Sequence, residues 1–228
     1  MIVLALDTAT AATVAAVQVG EGPAVEARDD PAPGSRPNHA ARLLELAEQA
    51  LGAAGVGWQD LDRVAVGVGP GSFTGLRIGV STARALAQSH AIPLVAVSTL
   101  RALALAATPE RDPRPVLAVI DARRGEAFAA AWSDRGEPLL PVSAYPPDAL
   151  ARRAAGLSAA LLAVGDGAIR FRPELESAGL SVPADDSALH RVQGASLCRL
   201  GAAGEPVDRE ALLPDYVREP DAKPPRPL

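Results

Sequence analysis

Residues 2–6 form an unbroken apolar run that stops at Asp7 and Thr8. A run this short, uncharged until its end, predicts a buried strand. Residues 13–19 predict a second strand, Gly20-Glu21-Gly22-Pro23 a turn, and residues 24–28 a third strand. The stretch from 29 to 37, rich in Pro, Asp and Gly, is a loop by composition. From residue 38 the period changes. Ala40, Leu43, Leu44, Ala47, Ala50, Leu51 and Ala54 recur at helical spacing up to a stop at Gly55, and Leu46 widens the stripe. Residues 62–68 predict a strand that runs into the loop Gly69-Pro70-Gly71-Ser72-Phe73-Thr74-Gly75. A helix over 74–89, a strand over 92–97 and a short helix over 100–107 follow.

At Val116-Leu117-Ala118-Val119-Ile120-Asp121 the pattern restarts, repeating the apolar run and aspartate of Leu4-Ala5-Leu6-Asp7. Strands over 126–132 and 139–143 flank a turn at 134–136; a helix over 147–155 precedes a strand over 161–164 that enters Gly165-Asp166-Gly167. Each half therefore reads strand, strand, strand, helix, strand, Gly-rich turn, helix. A doubly wound parallel sheet also alternates strands and helices, but would not begin each half with three consecutive strands. The duplication resembles the two-lobed α/β fold of the actin/Hsp70/sugar-kinase superfamily, which implies a nucleotide cleft between the halves. The expected organisation is an N-terminal lobe over 1–105, a C-terminal lobe over 106–210 that includes a last helix at 195–203, and a tail over 211–228 with a flexible end.

Composition narrows the function. Hydrophobic residues make up 48% of the 228 and aromatics only 3%, so Ala, Val and Leu must fill the core. With 22 basic and 27 acidic residues the net charge is −5 and no basic stripe is visible, which argues against an autonomous nucleic-acid grip. Arg123-Arg124 and Arg152-Arg153 read as solvated faces. Cys198 is the single cysteine, so no disulfide forms within the chain. The N-terminus lacks a signal-peptide pattern, and no apolar run has membrane-spanning length. The expectation is a cytoplasmic protein without membrane contact. The single lysine, Lys223, sits in the Pro-rich tail. A phosphate-clamping lysine, a Schiff-base lysine and a Ser-Lys dyad are thereby disfavoured.

Three motifs carry candidate chemistry. The loop 69–75 feeds a helix, and its backbone amides could cradle an anion. It could equally be a structural turn, since Arg77 and no lysine follows Gly75. The candidate vestigial nucleotide or phosphate loop comprises Asp7, Thr8, Gly69, Gly71, Ser72 and Thr74. Asp7 and Asp121 occupy the superfamily's metal-binding or water-activating positions. Asp7 leads into Thr8-Ala9-Thr10 rather than a glycine that would admit a triphosphate, and Asp121 into Ala122-Arg123-Arg124-Gly125. Weak nucleotide binding is the most this predicts, with no cofactor required. His39, His90 and His190 lie far apart and predict no metal site; His39 reads as a capping or surface residue. Ser72 lies outside a G-x-S-x-G elbow. In the helix over 74–89, Arg77, Ser81, Arg84 and Gln88 form one narrow polar stripe, while Gly75, Gly79, Ala83 and Ala87 leave a smooth face. So smooth a face lets another helix approach closely, and a contact with a second chain is expected there.

The string Gly-Pro-Gly-Ser-Phe-Thr-Gly-Leu-Arg-Ile-Gly over 69–79 resembles the TsaB family, also called YeaZ. Leu4-Ala5-Leu6-Asp7-Thr8, His39 before Leu43-Leu44, Ile92-Pro93-Leu94, Ser98-Thr99-Leu100, Val119-Ile120-Asp121-Ala122-Arg123-Arg124-Gly125-Glu126 and Pro214-Asp215-Tyr216-Val217-Arg218 fit the same resemblance. Ala40-Ala41 and Glu45 depart from the family's usual acidic residue and proline in that helix. The resemblance implies a non-catalytic scaffold that pairs with a homologous catalytic subunit, TsaD. With the ATPase TsaE, the assembly places N6-threonylcarbamoyl on adenosine 37 of tRNA, which the chain meets only through the complex. The pairing surface it implies is built from the two N-lobe helices: His39, Leu43, Leu46, Ala50, Gly75, Ile78, Gly79, Val80, Thr82, Ala83 and Leu86. The same helices could support a homodimer when the chain is alone. The sister's H-x-x-x-H metal box aligns near Thr99 and Leu103, which cannot replace two imidazoles. Two alternatives are an active phosphotransferase of the same fold and a peptidase acting on the partner.

Overall fold

The computed structural model describes residues 1–32, 34–108, 114–158 and 160–218. The end of the expected flexible tail lies outside these residues. The first sheet has the order β3-β2-β1-β4-β5, built from β1 (Ile2–Asp7), β2 (Thr13–Val19), β3 (Val25–Asp29), β4 (Arg63–Gly69) and β5 (Leu94–Ser98). β1, β2 and β3 form an antiparallel meander, while β1, β4 and β5 run parallel. The parallel connections carry α1 (His39–Ala54) and α2 (Phe73–His90). Gly55 ends α1 at φ 70°, where a side chain would be strained.

The second sheet, β8-β7-β6-β9, repeats this plan with β6 (Val116–Arg123), β7 (Glu126–Trp132), β8 (Pro138–Tyr145) and β9 (Leu162–Val164). α3 (Thr99–Ala106) links the lobes and α4 (Pro147–Ala155) takes the place of α1. After β9 come two short helices, α5 (Asp166–Arg170) and α6 (Arg172–Ser177). The fifth strand is reduced to one parallel bridge between Leu162 and Ser181.

Side-chain alternation along the strands assigns two faces to each sheet. Leu4, Leu6, Ala15 and Val17 pack under α1 and α2 against Leu43, Leu46 and Val80. Val3, Ala5, Val14 and Ala16 point the other way, toward Leu197 and Cys198. These two residues belong to α7 (Gly194–Ala203), which lies on the first sheet and not in the C-terminal lobe where residues up to 210 were expected. The approach depends on two glycines. A Cβ at Gly194 would sit 2.3 Å from Ala16 Cβ, and one at Gly201 2.4 Å from Ala65 Cβ. Arg63 completes the docking by donating to the carbonyls of Gly201, Ala202 and Gly204 at 3.2, 3.0 and 2.6 Å, which satisfies the end of the helix. The second sheet packs Leu117, Val119 and Ala129 on Leu150 and Phe171, and Ala118, Ile120 and Phe128 on Leu100 and Leu103 of α3.

Candidate functional site

A cleft of about 690 Å³ separates the lobes. Ala9, Thr10, Gly71, Ser72 and Phe73 face it from the first lobe, and Ile120, Asp121, Phe128 and Asp166 from the second; residues 215–218 close one wall. Of the six candidates for a phosphate loop, Gly71 and Ser72 line this cleft and the others do not. Asp7 is fully buried. One carboxylate oxygen accepts from the Ala9 amide at 2.9 Å and the other from the Thr99 hydroxyl at 3.0 Å, with Gly67 packed against it. Burial pushes its pKa from 3.8 up to about 6. Thr8 is also buried, donating its hydroxyl to Gly75 O at 2.7 Å. Gly69 (φ 122°) lies under the backbone of Asp215, and Thr74 lies outside the cleft in a groove beside α1.

The loop's own contacts answer what its amides are used for. Ser72 N donates to Ala9 O at 2.7 Å, and the Ser72 hydroxyl caps α2 by accepting from Gly75 N at 3.3 Å. A Cβ on Gly71 would sit 2.4 Å from Ala9 O. The glycine therefore lets the loop close on the β1–β2 hairpin, and the geometry fits the structural-turn alternative. The Ser72 amide is thus engaged within the chain, and Asp7 is sealed behind the hairpin. Asp121 does face the cleft, but its carboxylate is held by Arg170 at 2.7 Å and Arg123 at 3.2 Å. Its amide donates to Asp166 at 3.1 Å, and burial pushes the Asp166 pKa up. Asp166 was not singled out in the sequence; its equivalence to the Gly69–Gly75 turn was the available signal.

The second region of interest is the outer surface of α1 and α2, and here the structure corrects the expected pairing surface. His39, Leu43, Leu46, Ala50, Gly75, Gly79, Val80 and Ala83 are all buried within the chain. The smooth stripe meets the chain's own β1–β2 turn: a Cβ on Gly75 would be 2.0 Å from Thr8 O, and one on Gly79 2.5 Å from Thr8 Oγ1. The second helix expected to use that face is thus replaced by the backbone after Asp7. His39 is neither cap nor surface residue; its Nδ1 lies 2.8 Å from Thr13 Oγ1, and burial lowers its pKa. Ile78, Thr82 and Leu86 remain half-buried. Ala40, Phe73, Thr74, Arg77, Ile78, Ser81 and Thr82 line a shallow groove of about 490 Å³ between the helices. Phe73 is 44% exposed and Leu44, on the outer side of α1, 47%. Both are unusually open for large apolar side chains. The polar stripe of Arg77 and Ser81 marked this outer face in the sequence, and the smooth stripe marked the inner one.

Thr99 and Leu103, near the sister family's metal-box positions, are both buried, Thr99 on Asp7 and Leu103 in the core between the sheets. No helix of the described residues is long and apolar enough to cross a membrane.

Comparison with known proteins supplies the lineage. Residues 33–179 match the family model described as TsaD: tRNA N6-adenosine threonylcarbamoyltransferase. The chain is 38% identical over 132 residues to the tRNA threonylcarbamoyladenosine biosynthesis protein TsaB of Escherichia coli, a match covering 58% of this chain and only 55% of that protein. It is 31% identical over 193 residues to the Bacillus subtilis protein of the same name, covering 82% of each. Among solved structures, YeaZ from Pseudomonas aeruginosa superposes with a TM-score of 0.78 at 32% identity, over 94% of this chain and 99% of that one. A ROK hexokinase from Thermus thermophilus (TM-score 0.50, 14% identity, 90% and 98% covered) shares the fold alone. The duplicated lobes are those of the actin-like sugar-kinase fold, and by the extent of these matches the chain belongs to the TsaB (YeaZ) family.

Proposed function

We propose that this chain is the non-catalytic partner in the assembly that installs N6-threonylcarbamoyl on adenosine 37 of tRNA, docking a TsaD-like subunit on the outer face of α1 and α2. The observation that carries the reading is the apolar outer side of these helices, exposed Leu44 on α1 and exposed Phe73 with half-buried Ile78 along the groove, in a chain of this family. A surface of this kind favours burial against another helix pair. The net charge of −5 leaves tRNA contact to basic surfaces on the partners, including a TsaE-like ATPase. Thr99 and Leu103 lack metal-ligand chemistry, in keeping with a scaffold role. The peptidase alternative would be favoured by cleavage of the partner that Ser72→Ala abolishes.

The test is co-purification with the TsaD homologue of the same organism, together with an assay for modified adenosine 37. Wild type is compared with Ser81→Arg and Leu44→Glu, both at exposed positions of the outer face. Loss of pairing and of modification in folded variants supports the reading. Pairing that ignores both substitutions sinks it, and ATP turnover by the isolated chain would favour the phosphotransferase alternative.

A further inference from the structure

After α7 the chain stays on the first lobe and then crosses to the second within three residues. Val207 N donates to Leu94 O at 2.8 Å, Leu212 is buried in the core under α2, and Asp215 N donates to Val68 O at 2.7 Å. The Tyr216 ring then lies 5.2 Å from Phe73, its hydroxyl accepting from Arg77 Nε at 3.0 Å, with the Arg77 guanidinium 3.9 Å above Phe73. One residue on, Val217 packs against the second lobe's cluster of Ile120, Ala122 and Phe128. Arg218 donates to Glu126 at 2.6 Å and to Ala122 O at 3.3 Å. Ala122 and Glu126 flank the tip of the β6–β7 hairpin, where Arg123 and Arg124 are both held at positive φ, 63° and 54°. Few non-glycine residues adopt that conformation unless their surroundings hold it.

We propose that residues 215–218 form an inter-lobe clasp: Tyr216 on Phe73 anchors one end, Arg218 on Glu126 the other, and together they hold the cleft closed. Both anchors are partly exposed (Arg218 side chain 30%, Glu126 35%, Tyr216 39%). Contacts of this kind are individually weak and open locally without global unfolding. Releasing Arg218 frees the tip of the β6–β7 hairpin around Ala122 and Glu126 from the chain end, while Ile120 and Phe128 stay packed on α3. Every contact in the clasp lies within the chain, although its first-lobe anchor, Phe73 and Arg77, also lines the groove between α1 and α2.

Hydrogen exchange read by mass spectrometry on the full chain tests it, comparing wild type, Arg218→Glu, and Arg218→Glu combined with Glu126→Arg. Arg218→Glu places two carboxylates together and should speed exchange across residues 122–126 and the first turn of α2 by about fivefold or more, equivalent to losing about 1 kcal/mol of local closure. Protection in β1 and α1 should stay at its wild-type level, and the charge-exchanged double variant should restore the hairpin. Tyr216→Ala should loosen the same two regions from the other anchor. Unchanged hairpin exchange in Arg218→Glu, no recovery in the double variant, or a uniform loss of protection would each overturn the clasp.

Discussion

Replacing Asp7 by asparagine should make this protein more stable at neutral pH. The carboxylate is fully buried, with two neutral hydrogen-bond donors and, among the described residues, no cationic partner in direct contact. Its pKa stands at about 6 against an ordinary 3.8. The folded state thus holds the proton more tightly than the unfolded chain does. The penalty for ionisation is absent below pH 3.8, grows through the interval and is complete above about pH 6. At 1.36 kcal/mol per pH unit the full penalty is about 3 kcal/mol. Asparagine keeps an acceptor for the Ala9 amide and offers a donor to the Thr99 hydroxyl, which can rotate to accept. Denaturant unfolding of wild type and Asp7→Asn should show the variant ahead by about 3 kcal/mol near pH 7.5, or roughly 6–12 °C in Tm for a chain of this size. Near pH 4.5 the gap should narrow to about 1 kcal/mol. His39 and Asp166, whose pKa values are also displaced, are present in both proteins and cancel in the difference. A variant no more stable than wild type at neutral pH, or a gap that does not close on acidification, would refute the reasoning.

Leu43→Asp and Val80→Arg should unfold the protein, since each forces a charge into a side-chain position 1% and 3% exposed; loss of cooperative melting by circular dichroism checks this. Any pairing defect in those variants would report folding and say nothing of docking. Arg63→Ala removes three charge-assisted bonds to the end of α7 and should cost about 1.5–3 kcal/mol by denaturant titration, with faster exchange concentrated in that helix. Gly75→Ala pushes a methyl to within 2.0 Å of Thr8 O and should lower Tm measurably, whereas alanine at Gly52, which has open space around its Cα, should raise it slightly.

Much of the local structure was legible from periodicity and punctuation. The expected strands over 13–19 and 126–132 and the helix over 147–155 coincide with the observed elements, because the strands are short apolar runs bounded by turn residues and Pro147 and Gly156 bracket the helix. The repeat of an apolar strand ending in aspartate disclosed the duplication. The helix expected after the Gly165–Gly167 turn was legible only as part of the repeat; its bounds and its split into α5 and α6 were not, because at 5 and 6 residues these are too short to display a helical stripe.

Which surfaces meet was decided by the tertiary structure alone. A stripe of Gly75, Gly79, Ala83 and Ala87 says that something approaches closely, and the sequence cannot say whether it is another helix or, as here, the backbone at Thr8. Likewise α7 follows the second lobe in sequence and docks on the first sheet, because the apolar face of Val3, Ala5 and Ala16 was left uncovered by α1 and α2. His39 is polar by composition and buried by its bond to Thr13, a partner 26 residues away. Residue order and period therefore determined the elements and their duplication, since those depend on interactions within a few residues. The inner and outer faces of the helices, the sealing of Asp7 and the clasp at Arg218 depend on contacts between residues far apart in the chain, and only the packed structure brings those together.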